Sequence, residues 1–154
     1  GQFFTTLEHE LTHALFALLT LHPVVAVRAT WRGDGVMRYL GRGNWIITIA
    51  PYFFPTLSAL LMLIFWALPA GWIAAASVLL GVTVCYHFVS TYREIHVAQP
   101  DLQKVGYGFA LLFLPTANLI SFGAVLAFAH GGGAGMGRFL ANIGRFTAAM
   151  VSGG

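Results

Sequence analysis

Asn44-Trp45-Ile46-Ile47-Thr48-Ile49-Ala50-Pro51-Tyr52-Phe53-Phe54-Pro55-Thr56-Leu57-Ser58-Ala59-Leu60-Leu61-Met62-Leu63-Ile64-Phe65-Trp66 contains no Asp, Glu, Lys or Arg, and it sits inside an uncharged run of fifty residues, Gly43 to Tyr92. Fifty residues are enough for two apolar spans of roughly 20 residues each, and Pro69-Ala70-Gly71 supplies the turn between them. A second uncharged run, Val105 to Gly137, holds a third span from about Val105 to Ala129. The first segment, from about Phe3 to Leu21, reads as a fourth helix, apolar but interrupted by Glu8, His9, Glu10 and His13.

The composition of the whole chain agrees. Of 154 residues 58% are apolar, against roughly 45–50% in soluble domains, and 8% are charged, against about 25%. So few charges cannot coat a water-facing surface, and a mean hydropathy of +0.77 points to lipid as the main solvent. The net charge of +3 suits an anionic lipid surface and carries no nucleic-acid footprint. Residues 1–25 lack a basic stretch and carry two carboxylates, so they do not read as a signal peptide. Since His9 would lie only about 12 Å from the start of its helix, that helix is expected to continue upstream of Gly1. Cys85 is alone in mid-span, which leaves no disulfide framework and a packing role for the thiol.

Between the first helix and the long uncharged run the pattern changes. Val24 to Trp31 is rich in β-branched residues, Gly33-Asp34-Gly35 is a turn signal, and Val36 to Leu40 reads as a second short strand, so a β-hairpin is expected over about 24–42. The same turn chemistry accounts for Arg32-Gly33-Asp34 without an adhesion receptor. After the third span, Gly131-Gly132-Gly133-Ala134-Gly135 reads as a flexible connector. Phe139, Leu140, Ile143, Phe146 and Met150 then recur at helical spacing beside Arg138 and Arg145, the pattern of a short interfacial helix. The expected organisation is a membrane-embedded core over 1–130 and a connector plus C-terminal helix over 131–154.

The fold class is therefore an all-α membrane protein of about four transmembrane helices, with a short β-hairpin after the first. Alternating helices put Arg28, Arg32, Arg38, Arg42, Arg93 and Lys104, six of the eight basic residues, on one side. The positive-inside rule makes that side, with the hairpin and the 92–104 loop, cytoplasmic.

The chemistry is concentrated in His9-Glu10-Leu11-Thr12-His13. Residues four apart project from one helix face, so both imidazoles can bind a single zinc ion through nitrogen at about 2.0–2.1 Å. Glu10 flanks that face and suits a general base that takes a proton from zinc-bound water. Two histidines and a carboxylate in an apolar helix cost several kcal/mol unless something such as a metal compensates them. A third ligand is needed, and Glu94, His96, Asp101, His87, His22 and His130 are candidates. Asp101 is the best placed, because it follows Pro100 where a helix should enter the membrane from the hairpin side. An N-cap role for Asp101 is the alternative. Asn44 is a candidate substrate-binding residue, able to bond a substrate carbonyl or a developing oxyanion, and equally suited to capping the helix that starts at Trp45.

In order and spacing, His9 to Thr20, Val24 to Tyr39 and Ile49-Ala50-Pro51-Tyr52-Phe53-Phe54-Pro55 resemble the site-2 protease family (M50) of intramembrane zinc metalloproteases, and most closely its compact M50B-like branch. The resemblance covers the first sixty residues and later thins to Pro100-Asp101-Leu102. It implies His9, His13 and Asp101 as ligands of Zn2+, Glu10 as general base, a membrane-protein substrate and a bacterial inner-membrane location. Thr12 stands where the family usually has Gly, and Pro100-Asp101-Leu102 replaces its common Leu-Asp-Gly. Serine and aspartyl intramembrane proteases fit less well: Ser152-Gly153 lies at the C-terminus, and Gly106-Tyr107-Gly108-Phe109 lacks the aspartate. The competing expectation is a non-proteolytic subunit of a larger membrane complex that keeps the fold, although a scaffold needs neither Glu10 nor both histidines. The orientation can be tested by cysteine accessibility: positions near Arg38 and Arg93 should label from the cytoplasm, and labelling from outside would reverse it.

Overall fold

The structure is a computed structural model that describes residues 2–96 and 98–153. Helix α1 (Gln2–Leu19) leads into an antiparallel hairpin of β1 (Val24–Ala29) and β2 (Gly35–Tyr39). Helices α2 (Trp45–Ile49), α3 (Thr56–Trp66), α4 (Ile73–Glu94), α5 (Pro100–Val105) and α6 (Tyr107–Ser152) follow. The strand register pairs Val24 with Tyr39 and Ala29 with Gly35, with a bulge between Val24 and Ala26. Thr30 and Asp34 close the turn through a 2.9 Å backbone bond, and the Thr30 hydroxyl accepts the Asp34 N–H at 3.2 Å.

The first uncharged segment is broken where a single span was expected. Pro51 and Pro55 bracket the break: each lacks an N–H and its ring clashes with the preceding turn. The chain leaves α2 through a 3-10 turn over Ala50–Tyr52, and α3 starts after Pro55, bent 83° from the first piece. Among the described residues, α4 and α6 are long and apolar enough to cross a membrane, and the bent α2–α3 pair raises the number to three if it counts as one span. Two or three of the expected four spans are thus found. Helix α1 does not meet this measure of length and apolarity, since Gln2, Thr5, Thr6, Glu8, His9, Glu10, Thr12 and His13 dilute its apolar character.

Within α6, only Gly131 (φ −144°, ψ 21°) and Gly132 (φ 55°, ψ −147°) leave helical geometry. The positive φ of Gly132 is one that a β-carbon disfavours. Past this break the helix resumes, and Phe139 folds back onto Gly123, where an added Cβ would lie 2.6 Å from its ring. Two apolar clusters hold the helices together. Phe16, Ala17, Ile47, Ile49, Tyr52, Leu102 and Leu114 join α1, α2, α5 and α6, and Ala76, Leu80, Val125 and Phe128 join α4 to α6. Small hydroxyls bond across the α3–α4 and α4–α6 seams, Ser58 to Thr83 at 2.8 Å and Ser77 to the Ala129 carbonyl at 2.6 Å. Val78, Val82, Leu111, Leu112 and Leu119 face outward, as helices solvated by lipid require, and Cys85 is exposed as well, not a packing residue. Leu80→Ala removes a fully buried side chain from the α4–α6 seam and should lower stability by about 2–5 kcal/mol. Val82→Ala, on the outward face, should change it far less; thermal unfolding of both in detergent checks this.

Candidate metal centre

Helix α1 carries His9 and His13 on one face, and α5 brings Asp101 to meet them. His9 Nε2 and His13 Nε2 are 3.0 Å apart, and Asp101 Oδ2 lies 3.3 Å from the His13 nitrogen and 3.6 Å from that of His9. Four ligands arranged tetrahedrally around zinc at about 2.0–2.1 Å stand roughly 3.3 Å from one another. The three observed separations bracket that value. Among the described residues, this is the one group of three or more metal-binding side chains whose ligand atoms all lie within 4.8 Å of each other.

The opposite ring nitrogens are also engaged. His13 Nδ1 donates to the Ile47 carbonyl at 2.7 Å, and His9 Nδ1 donates to Glu94 Oε2 at 2.7 Å. With the ring protons placed there, each neutral imidazole turns an Nε2 lone pair toward the other and toward a carboxylate. Three electron-rich atoms converging in this way call for a cation between them, so the donor set fits a metal.

The local fold explains why the Ile47 carbonyl is free. In a continuing helix it would accept the N–H of the residue four positions on. That residue is Pro51, which has no N–H to give. The Ile47 N–H is held by Asn44 Oδ1 at 3.0 Å, so Asn44 caps α2, and it is not among the residues lining the cavity beside the histidines.

Asp101 does not cap α5. Gln99 occupies the cap position, Pro100 follows, and Asp101 is the next residue of the helix. Gln99 Nε2 in turn donates to the buried Tyr52 hydroxyl at 2.7 Å, and the Tyr52 ring meets His9 edge to face with centroids 5.5 Å apart. The Asp101 carboxylate is largely withdrawn from water, with Oδ2 turned toward the two imidazoles. Its second oxygen faces the exposed Lys104 ammonium at 3.5 Å.

Glu10 lines the same cavity of about 370 Å³ as His9, His13 and Asp101, together with Gly35, Val36, Met37 and Tyr39 of β2. The sheet has two strands, so the other edge of β2 has no strand partner among the described residues. At Gly35 the hairpin packs tightly against α1: a Cβ there would lie 2.5 Å from Glu10 Oε1 and 2.6 Å from Thr6 Cγ2.

The other candidate ligands lie elsewhere. Glu94 sits behind His9 on the far side of its ring. His87 faces Glu8 at 3.9 Å, His22 Nε2 donates to the Arg42 carbonyl at 2.7 Å, and neither His96 nor His130 belongs to the cluster. Sequence reasoning did not find the Ile47 carbonyl or the contact at Gly35. A backbone acceptor leaves no residue signature, although a proline four positions after Ile47 was a readable sign of an unpaired carbonyl.

A family model described as Peptidase M50B-like matches residues 2–128, which take in α1, the hairpin, α2 to α5 and most of the first arm of α6. No curated protein and no solved structure matches the chain. The close approach at Gly35 makes a prediction: Gly35→Ala should cost about 1–3 kcal/mol through overpacking against Glu10 and Thr6. An unchanged melting temperature would show that the hairpin can move away freely.

Proposed function

The chain belongs to the Peptidase M50B-like family of the site-2 protease (M50) group, and from that premise we propose that it is a zinc-dependent endopeptidase cleaving membrane proteins within or just beside the bilayer. The observation that carries this reading is the convergence of His9 Nε2, His13 Nε2 and Asp101 Oδ2 in the cavity that Glu10 lines.

In this reading His9, His13 and Asp101 hold the ion. Bound zinc supplies a Lewis acid that polarises a carbonyl and lowers the pKa of water toward neutrality. Glu10, beside the ligands without being one of them, accepts the proton of the attacking water and returns it to the leaving amine. The Ile47 carbonyl holds the His13 ring proton on Nδ1, so its Nε2 would be free to bind the metal. A helical substrate hides its carbonyls in its own hydrogen bonds, so it must unwind before attack. The unpaired edge of β2 can hold it extended by strand addition, with Val36, Met37 and Tyr39 lining the cavity alongside. The hairpin and α5 face the cytoplasm, where water reaches the cavity.

Elemental analysis of the purified protein should find about one zinc per chain, and none in His13→Ala. Glu10→Gln keeps the side-chain volume and should keep the zinc and the fold while slowing cleavage of a membrane-protein substrate by about 10²–10⁴-fold. Undiminished cleavage by well-folded Glu10→Gln would refute the mechanism.

A further inference from the structure

Glu94 is the last residue of α4, a position that does not suit a carboxylate. The final carbonyls of a helix carry partial negative charge and favour a cation, as Arg93 beside it provides. Helix stability therefore does not account for a glutamate here. Its Oε2 lies 2.7 Å from His9 Nδ1, and both side chains are largely withdrawn from water. Against the opposite edge of the ring, His9 Nε2 faces His13 and Asp101. Glu94 thus stands behind the ligand and not at the ion, and it stays outside the group of convergent ligand atoms.

The two histidines are held in different ways. His13 leans on a backbone carbonyl, which no side-chain substitution removes. His9 leans on a carboxylate from a helix 85 positions away in sequence, which adds a negative charge to the ring it fixes. A charged acceptor on Nδ1 sets the tautomer and makes Nε2 a stronger donor.

We propose that Glu94 is a positioning residue of the metal centre, locking His9 with its Nε2 toward the ion and strengthening it as a ligand, so that metal affinity depends on the α4 terminus as well as on α1 and α5. This rests on the zinc reading above. The test is a zinc competition titration against a chromophoric chelator, using the purified full chain in detergent, as wild type, Glu94→Gln and Glu94→Leu. Glu94→Leu removes the acceptor and should weaken zinc binding about 10–100-fold. Glu94→Gln keeps an acceptor without the charge and should fall between the two. Melting temperatures of the metal-free proteins should stay close together, whereas a purely structural role would move those and leave affinity per folded molecule unchanged. Equal zinc affinity in the wild type and the leucine variant overturns the proposal and leaves the zinc reading standing. If the leucine variant does not fold, the glutamine variant decides: weaker binding supports the proposal and equal binding overturns it. A wild type that binds no zinc defeats the zinc reading itself, whatever position 94 carries.

Discussion

An imidazole offers a lone pair to a metal only when its single proton is parked on the other nitrogen, and much of this fold can be traced to the two places where that parking happens. For His13 the place is the Ile47 carbonyl, free because Pro51 cannot donate to it. The carbonyl reaches α1 because α2 ends after five residues and the chain turns through 83° into α3. The same proline that spoils a straight span therefore builds the support for a candidate ligand. For His9 the place is Glu94, which ties the far end of α4 to the middle of α1.

How much of this could be read in the sequence depended on whether a feature is local. The four-residue spacing of His9 and His13 fixes a shared helix face from geometry alone, and the structure brings them together with Asp101. The hairpin was legible from β-branched runs around a Gly-Asp-Gly turn. What could not be read were contacts between distant segments, such as Glu94 on His9. The break in the first uncharged run was written in Pro51 and Pro55, but composition averages over a window and does not see two prolines inside an apolar stretch. Helix α1, expected as a fourth span, does not meet the same measure of length and apolarity, because the polar residues of its first half dilute its apolar C-terminal half.

Lipid as solvent explains the division of labour between the two clusters. Where apolar atoms face apolar solvent there is little hydrophobic drive to bring helices together, so close packing and short hydroxyl bonds take over. The α4–α6 seam accordingly combines small and large residues, Ala76 and Leu80 against Val125 and Phe128, with Ser77 bonded to the Ala129 carbonyl. The cluster that joins α1, α2, α5 and α6 is bulkier and more aromatic. It holds Tyr52 and Phe53 against α1, where the polar face must be kept in register.

The break at Gly131 and Gly132 also acts as a depth gauge. An unbroken rod of 46 residues would be about 69 Å long, more than twice the roughly 30 Å of a bilayer's hydrocarbon. Arg138 Nη2 sits 2.9 Å from where a Cβ on Gly131 would be, so a guanidinium marks the break, and in a spanning helix such a group stays at the water boundary. Counting roughly 20 residues back from it brings the opposite boundary to about Leu111, one turn past the start of α6. By that count α5 and Asp101 lie just beyond the hydrocarbon, where the three candidate ligand side chains stay within reach of water while α4 and the first arm of α6 are the segments that cross the lipid.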